Sequence, residues 1–124
     1  WRWERGASIA YPPRAFGMLT GKYLDGQAEA NARLARDSHY QRYRNKRALA
    51  AAARYVAIAH DAGLDPTHLA LAWSASKPWV SSVIIGASNP SQLLHNLAAD
   101  QLQLPRAVDK AIDQVHEEIS NPCP

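Results

Sequence analysis

Apolar residues recur along this chain in two rhythms. Between residues 47 and 62, Leu49, Ala52, Ala53, Val56 and Ala57 fall at helical spacing in an alanine-rich run, and Gly63 follows as a C-terminal stop. Asp65 and Pro66 are the residue types of an N-cap and a first helical position. They predict a second helix over 66–77, with Leu69, Ala70, Trp73 and Ala75 or Ser76 on its buried side and Lys77-Pro78 at its end. Over 105–120, Val108, Ala111, Ile112, Val115 and Ile119 mark one side of a last helix. Two shorter stretches have a strand pattern. Residues 7–11, Ala7-Ser8-Ile9-Ala10-Tyr11, alternate and stop at Pro12-Pro13. In 80–85, Val83, Ile84 and Ile85 are consecutive and apolar, as in a parallel strand buried on both faces. Residues 14–23 read as a loop with Gly17 and Gly21, and Asp25-Gly26 as a turn. Residues 27–45 are polar, with a short helix around 28–36.

The strand at 80–85 becomes a helix, 89–99, within a few residues. Asn89 suits the N-cap, Pro90 the first helical position, and Gln92 lies three residues after the cap. A strand passing through Gly86-Ala87-Ser88 into a helix gathers backbone N–H groups at the positive end of a helix dipole, where an anion is stabilised. The order is strand, loop, helix, helix, strand, helix, helix. That is an α/β arrangement of two parallel strands joined by helical crossovers. Two strands cannot cover their own edges, so the sheet is incomplete.

Composition adds little to this picture and contradicts none of it. With 124 residues, 47% apolar and 20% charged, the chain fits one soluble globular domain. No apolar run approaches the roughly 20 residues that span a bilayer, and Trp1-Arg2-Trp3-Glu4-Arg5 lacks the apolar core of a secretory signal. The single cysteine, Cys123, cannot form an internal disulfide, which favours a reducing, cytoplasmic setting. The net charge of +3 is unevenly placed. Arg33, Arg36, Arg42, Arg44, Lys46, Arg47 and Arg54 face one acid, Asp37, across the same stretch. This run fits a solvated helix face, a polyanion-binding surface, or cations that reach a small phosphorylated ligand.

Three ordered segments carry a family resemblance: Ala10-Tyr11-Pro12-Pro13-Arg14-Ala15-Phe16-Gly17-Met18-Leu19-Thr20-Gly21-Lys22-Tyr23, then Leu69-Ala70-Leu71-Ala72-Trp73, then Ile84 to Asn96. In these the chain resembles the C-terminal portion of the aldo-keto reductases, NADPH-dependent enzymes built on a (β/α)8 barrel. The branch most like it includes the bacterial general-stress reductases and the potassium-channel beta subunits. The resemblance implies the C-terminal part of a TIM barrel, about two βα units plus a C-terminal helix. Residues 7–11 would be strand seven, 12–46 the cofactor loop and 80–85 strand eight. Loops after strands seven and eight commonly hold phosphate in such barrels. By resemblance, Tyr11, Pro12, Pro13, Arg14, Ala15, Phe16 and Lys22 lie along the pyrophosphate of NADPH, with Arg33 as a further cation. Gly86 and Ser88 approach the adenosine ribose and its 2′-phosphate, and Gln92 and Asn96 bind the adenine edge. The residue chemistry agrees. Lys22 offers a point charge, Ser88 a hydroxyl at a helix start, and Gln92 and Asn96 are four apart on one helix face. Bland readings stand beside these: Gln92 closing a capping box with Asn89, and Asn96 as an exposed polar residue.

Two departures from the family bear on affinity. Pro12-Pro13-Arg14 stands where the family usually has Ser-Pro-Leu, which removes a hydroxyl and an amide N–H beside the pyrophosphate. His95 stands where many members carry an acid or polar residue that meets the adenine amino group. The family's tetrad of aspartate, tyrosine, lysine and histidine belongs to the first half of the barrel, and no tyrosine here falls in that motif. No catalytic residue is carried over. His39, His60, His68 and His116 read as surface or cap residues without ligand spacing for a metal. A barrel of this kind needs about 250 residues, and the Trp1–Gly6 opening is unlike family sequence, which predicts a truncated, rearranged or partly sequenced gene product. The expected function is the NADPH-binding part of a reductase of aldehydes and ketones, inactive by itself. Its partners are a small carbonyl substrate in the complete enzyme and its own kind through exposed half-barrel edges, with neither membrane nor nucleic acid expected. The alternatives are a non-catalytic nucleotide-binding or regulatory module that completes a barrel with a partner chain, and a polyanion-binding basic helical protein. The purified chain is expected to give no NADPH-dependent reduction of 4-nitrobenzaldehyde in an assay that follows loss of the reduced nicotinamide's absorbance; measurable turnover would contradict this.

Overall fold

A computed structural model of the chain describes residues 7–24 and 42–124. Strand β1 (Ser8–Ala10) pairs in parallel with β2 (Val80–Val83), Ser8 opposite Val80 and Ala10 opposite Val83, with an irregularity between Ser8 and Ile9. The Ser8 N–H donates to the Trp79 carbonyl at 3.0 Å and the Ile84 N–H to the Ala10 carbonyl at 3.0 Å, closing the ladder at both ends. Both strands are shorter than the stretches 7–11 and 80–85 that the sequence suggests, because each has one pairing partner to hold it straight.

Four helices follow the order read from the sequence: α1 (Lys46–Asp61), α2 (Pro66–Ala75), α3 (Pro90–Leu97) and α4 (Arg106–Glu118). Their caps explain their starts. The Asn45 side chain accepts from the Ala48 N–H, Asp65 from Thr67 and His68, and Asn89 from Gln92. Gly63, at φ +66°, ends α1 in the left-handed conformation that glycine adopts without steric cost. The stretch 89–99 divides at Leu97, where α3 tightens into a 3-10 turn, Ala98–Gln101.

The core lies between the helices. Ala59 on α1, Leu69 on α2, and Val108 and Ile112 on α4 form one buried cluster, flanked by Tyr55, Ile58, Trp73 and Leu104. Full burial of a leucine or isoleucine contributes about 1.5–3 kcal/mol. Helix α2 was expected to bury Leu69, Ala70, Trp73 and Ala75 or Ser76. Instead Thr67, Leu69, Leu71 and Ala72 are buried, Ala70 and Trp73 are half-buried, and Ala75 and Ser76 are exposed. The reason is position. This helix packs against β2, α1, the Ala98–Gln101 turn and residues Ala15–Thr20, so apolar residues line it nearly all round.

The expectation of a strand buried on both faces is also corrected. Ile9 is 62% exposed, Tyr11 59% and Ile84 47%, and strand alternation puts all three on one face. The described helices cover the other face only, so a consecutive apolar run that suits an enclosed sheet is left half open.

Residues 14–23, read as a loop, contain a 3-10 turn, Ala15–Thr20, with Ala15, Phe16 and Gly17 at φ 46°, 55° and 94°. Such a short, irregular turn has no periodicity to betray it. The Tyr11–Pro12 peptide ahead of it is cis. The expected helix around 28–36 and Arg33 lie outside the described residues.

The C-terminal tail is docked on the body of the chain. Cys123 packs on the cluster of Met18, Tyr43 and Ala52, and burial pushes its thiol pKa up. The Asn45 amide donates to the Pro122 carbonyl at 2.9 Å and the Arg42 carbonyl at 2.7 Å, and Arg47 donates to the Ser120 carbonyl at 3.0 Å. Asn45 therefore caps α1 and fastens the tail at once. Asn45→Ala is expected to lower stability by about 1–2 kcal/mol, the scale of a lost N-cap, and Asn45→Ser to recover most of the cap's share while leaving the tail loose. Urea denaturation of the three chains checks this; an alanine variant within about 0.5 kcal/mol of the parent would contradict it.

Candidate functional site

Parallel pairing delivers the chain leaving β1 and the chain leaving β2 to the same edge of the sheet. Arg14 joins them there. Its Nη2 donates to the Gly86 carbonyl at 2.7 Å and its Nη1 to Asn96 Oδ1 at 3.2 Å, while Asn96 Nδ2 donates to the same Gly86 carbonyl at 3.3 Å. Asn96 is only 3% exposed, so these bonds satisfy an amide with little access to water. Partial burial lowers the Arg14 pKa, yet a guanidinium remains charged.

The start of α3 carries a variant of the capping box. Asn89 Oδ1 accepts the Gln92 N–H at 2.9 Å, and Gln92 Oε1 accepts the Ser88 N–H at 3.0 Å, one residue ahead of the cap itself. Gly86, Ala87, Ser88 and Gln92 are all exposed. A side-chain oxygen thus occupies a backbone donor at the positive end of the helix, in the place an anion would take.

On the other loop, Lys22 is exposed, with Nζ 5.1 Å from the centre of the Tyr23 ring. Its stem crosses Gly17 so closely that a Cβ there would lie 2.8 Å from Lys22 Cε. A side chain at Gly17 would therefore displace the lysine as well as strain the positive φ. Phe16 anchors the same loop, its ring edge-on to Tyr11 at 5.9 Å and to Tyr43 at 5.4 Å. Pro12, Pro13 and Ala15 are half-buried along it.

Eleven of the twelve residues singled out from sequence therefore sit on two adjoining segments: Tyr11, Pro12, Pro13, Arg14, Ala15, Phe16 and Lys22 on one, Gly86, Ser88, Gln92 and Asn96 on the other. Gln92 faces solvent, whereas Asn96, four residues on, is turned inward onto Arg14 and Gly86. Sequence reasoning missed the Arg14–Asn96 link, whose ends are 82 residues apart. Three cations of the basic run are turned toward the chain itself. Arg42 lies over the Tyr43 ring at 4.9 Å, Arg47 binds the Ser120 carbonyl and Arg54 pairs with Glu118.

A second cluster escaped the sequence altogether. Asp65 Oδ1 accepts the Thr67 and His68 N–H groups at 2.7 and 3.2 Å and lies 3.4 Å from His95 Nε2. The His68 ring sits 4.3 Å from the His95 ring, and its Nε2 is 2.7 Å from the His95 carbonyl. Burial works against the charged form of Asp65, but the His68 and Thr67 N–H bonds and the two nearby imidazoles outweigh it and hold its pKa below the ordinary value. His68, read as a surface residue without ligand spacing, finds its partners in a residue 27 positions on and in the cap of its own helix.

Residues 7–117 match the model of the Aldo/keto reductase family. "Protein tas" of Escherichia coli (strain K12) is 40% identical over 116 residues, covering 94% of this chain and 34% of that protein. The "Probable voltage-gated potassium channel subunit beta" of Oryza sativa subsp. japonica is 39% identical over 107 residues, 81% of this chain and 32% of that one. An "Aldo-keto reductase" of Babesia bovis is 35% identical over 115 residues, 89% of this chain and 40% of that one. The chain spans about a third of the length of the curated relatives it matches.

Proposed function

The chain belongs to the aldo/keto reductase family, and we propose that it is the C-terminal, NADPH-binding part of an oxidoreductase that reduces aldehydes and ketones to alcohols. The observation that carries this reading is the Arg14 tie, which sets a cationic loop against an anion-ready helix start.

The exposed donors at that edge fit the cofactor. Lys22 supplies an ammonium for the pyrophosphate, Ser88 a hydroxyl and a backbone N–H for the ribose 2′-phosphate, and Gln92 an amide for the adenine edge. NADPH, when bound, supplies the hydride for carbonyl reduction. The chain's own residues bind and orient. Gln92 would give up the Ser88 N–H to offer its amide to the base, and Asn96 with Arg14 would hold the Gly86 carbonyl in place for the ribose. Arg14 acts as a positioning residue, since each of its terminal nitrogens already donates within the protein, to Asn96 and to Gly86. Arg33, outside the described residues, would add its charge to the phosphates. No residue here is assigned to proton transfer, which this reading leaves to the rest of the barrel together with the pocket for the carbonyl substrate.

The open face of Ile9, Tyr11 and Ile84 is where the remaining strands would pack. That same face favours a second reading, a non-catalytic module that completes its barrel with a partner chain. No helix among the described residues is long and apolar enough to cross a membrane, and a cytoplasmic setting accords with the half-buried thiol of Cys123.

Isothermal titration of the chain with NADPH and NADH tests the assignment. Ser88→Ala is expected to weaken NADPH about tenfold and leave NADH nearly unchanged, whereas Gln92→Ala weakens both alike, each loss being that of about one hydrogen bond. Absence of NADPH binding, or affinity untouched by both variants, would overturn it.

A further inference from the structure

We propose that Asp65, His68 and His95 form a binding site for a divalent transition-metal ion of the zinc, nickel or copper(II) class. One ligand atom from each of the three lies within 4.8 Å of the other two. Metal bonds of about 2.0–2.1 Å place neighbouring ligands of a tetrahedral ion about 3.3–3.4 Å apart. The Asp65 Oδ1 to His95 Nε2 separation, 3.4 Å, already equals such an edge. The wider separations close by rotation of the two imidazoles, neither of which is buried.

The protonation pattern is also that of a metal-binding histidine. A carbonyl oxygen can only accept, so the 2.7 Å contact between His68 Nε2 and the His95 carbonyl puts the proton on Nε2 and leaves the lone pair on Nδ1. An imidazole held by one nitrogen on a backbone carbonyl is the usual form of a ligating histidine. Asp65 balances the cation; its Oδ1, the oxygen at the 3.4 Å edge, ligates by giving up the longer of its two N–H bonds, the 3.2 Å one from His68, and keeps the 2.7 Å one from Thr67. Two nitrogen donors and one carboxylate select borderline metals over magnesium or calcium, which prefer all-oxygen sites. The exposed side leaves room for water as a further ligand.

An ion here would join the first turn of α2 to the last turn of α3, next to Asn96. The inference does not depend on nucleotide binding. Calorimetric titration of the metal-free chain with zinc is expected to show a single zinc per chain, with affinity falling at least tenfold in His68→Gln and in His95→Gln, roughly the minimum for a lost ligand. Substitution of cobalt(II) should give the visible absorption of a four-coordinate ion, lost in the same variants. His60→Gln and Cys123→Ser should bind as the parent does, and melting of every variant in chelator establishes that it folds. No binding at millimolar zinc, or binding retained in the His68 and His95 variants, would overturn the proposal, as would loss only in Cys123→Ser.

Discussion

Arg14 stands where the chain leaving β1 meets the chain leaving β2, and it spans the gap with two hydrogen bonds to residues 72 and 82 positions away. The sheet by itself would hold these loops weakly, since β1 and β2 are only three and four residues long. The guanidinium also satisfies Asn96, whose buried amide oxygen would otherwise stand unpaired at a cost of about 1–3 kcal/mol. A leucine in its place could do neither. The residue at this position thus decides how the Gly86 turn is held.

Behind this edge, the helices form the stable body of the molecule. Caps at Asn45, Asp65 and Asn89 start α1, α2 and α3, and α2 sits at the centre with apolar contacts on nearly every side. The tail that follows α4 returns to the Met18 cluster, so the turn carrying Phe16 is buttressed from below by residues from the far end of the chain. The opposite face of the sheet is apolar and open at Ile9, Tyr11 and Ile84. One side of the described structure is therefore a helical layer and the other an open apolar face.

Much of this was legible beforehand. Caps and breakers such as Asp65-Pro66, Asn89-Pro90 and Gly63 act within one turn, so their residue types disclosed helix starts and stops directly. The two parallel strands and their order could also be read, as could the grouping of the loop after β1 with Gly86, Ser88 and Gln92. Long-range geometry could not. Nothing local distinguishes an Asn96 turned onto Arg14 from one turned to a ligand, because helical spacing fixes its angle and not its partner. The same limit hid the meeting of His68 with His95 and the docking of Cys123, each of which depends on how whole helices cross.

The central claim is that the two loops joined by Arg14 act as one phosphate and adenosine site. Amide chemical-shift mapping of the chain during titration with adenosine 2′,5′-bisphosphate tests it most directly. The account predicts that amides of residues 14–22 and of 86–96 shift together along one saturation curve. Shifts confined to one of the two segments, or concentrated in the basic stretch 42–54, would contradict it.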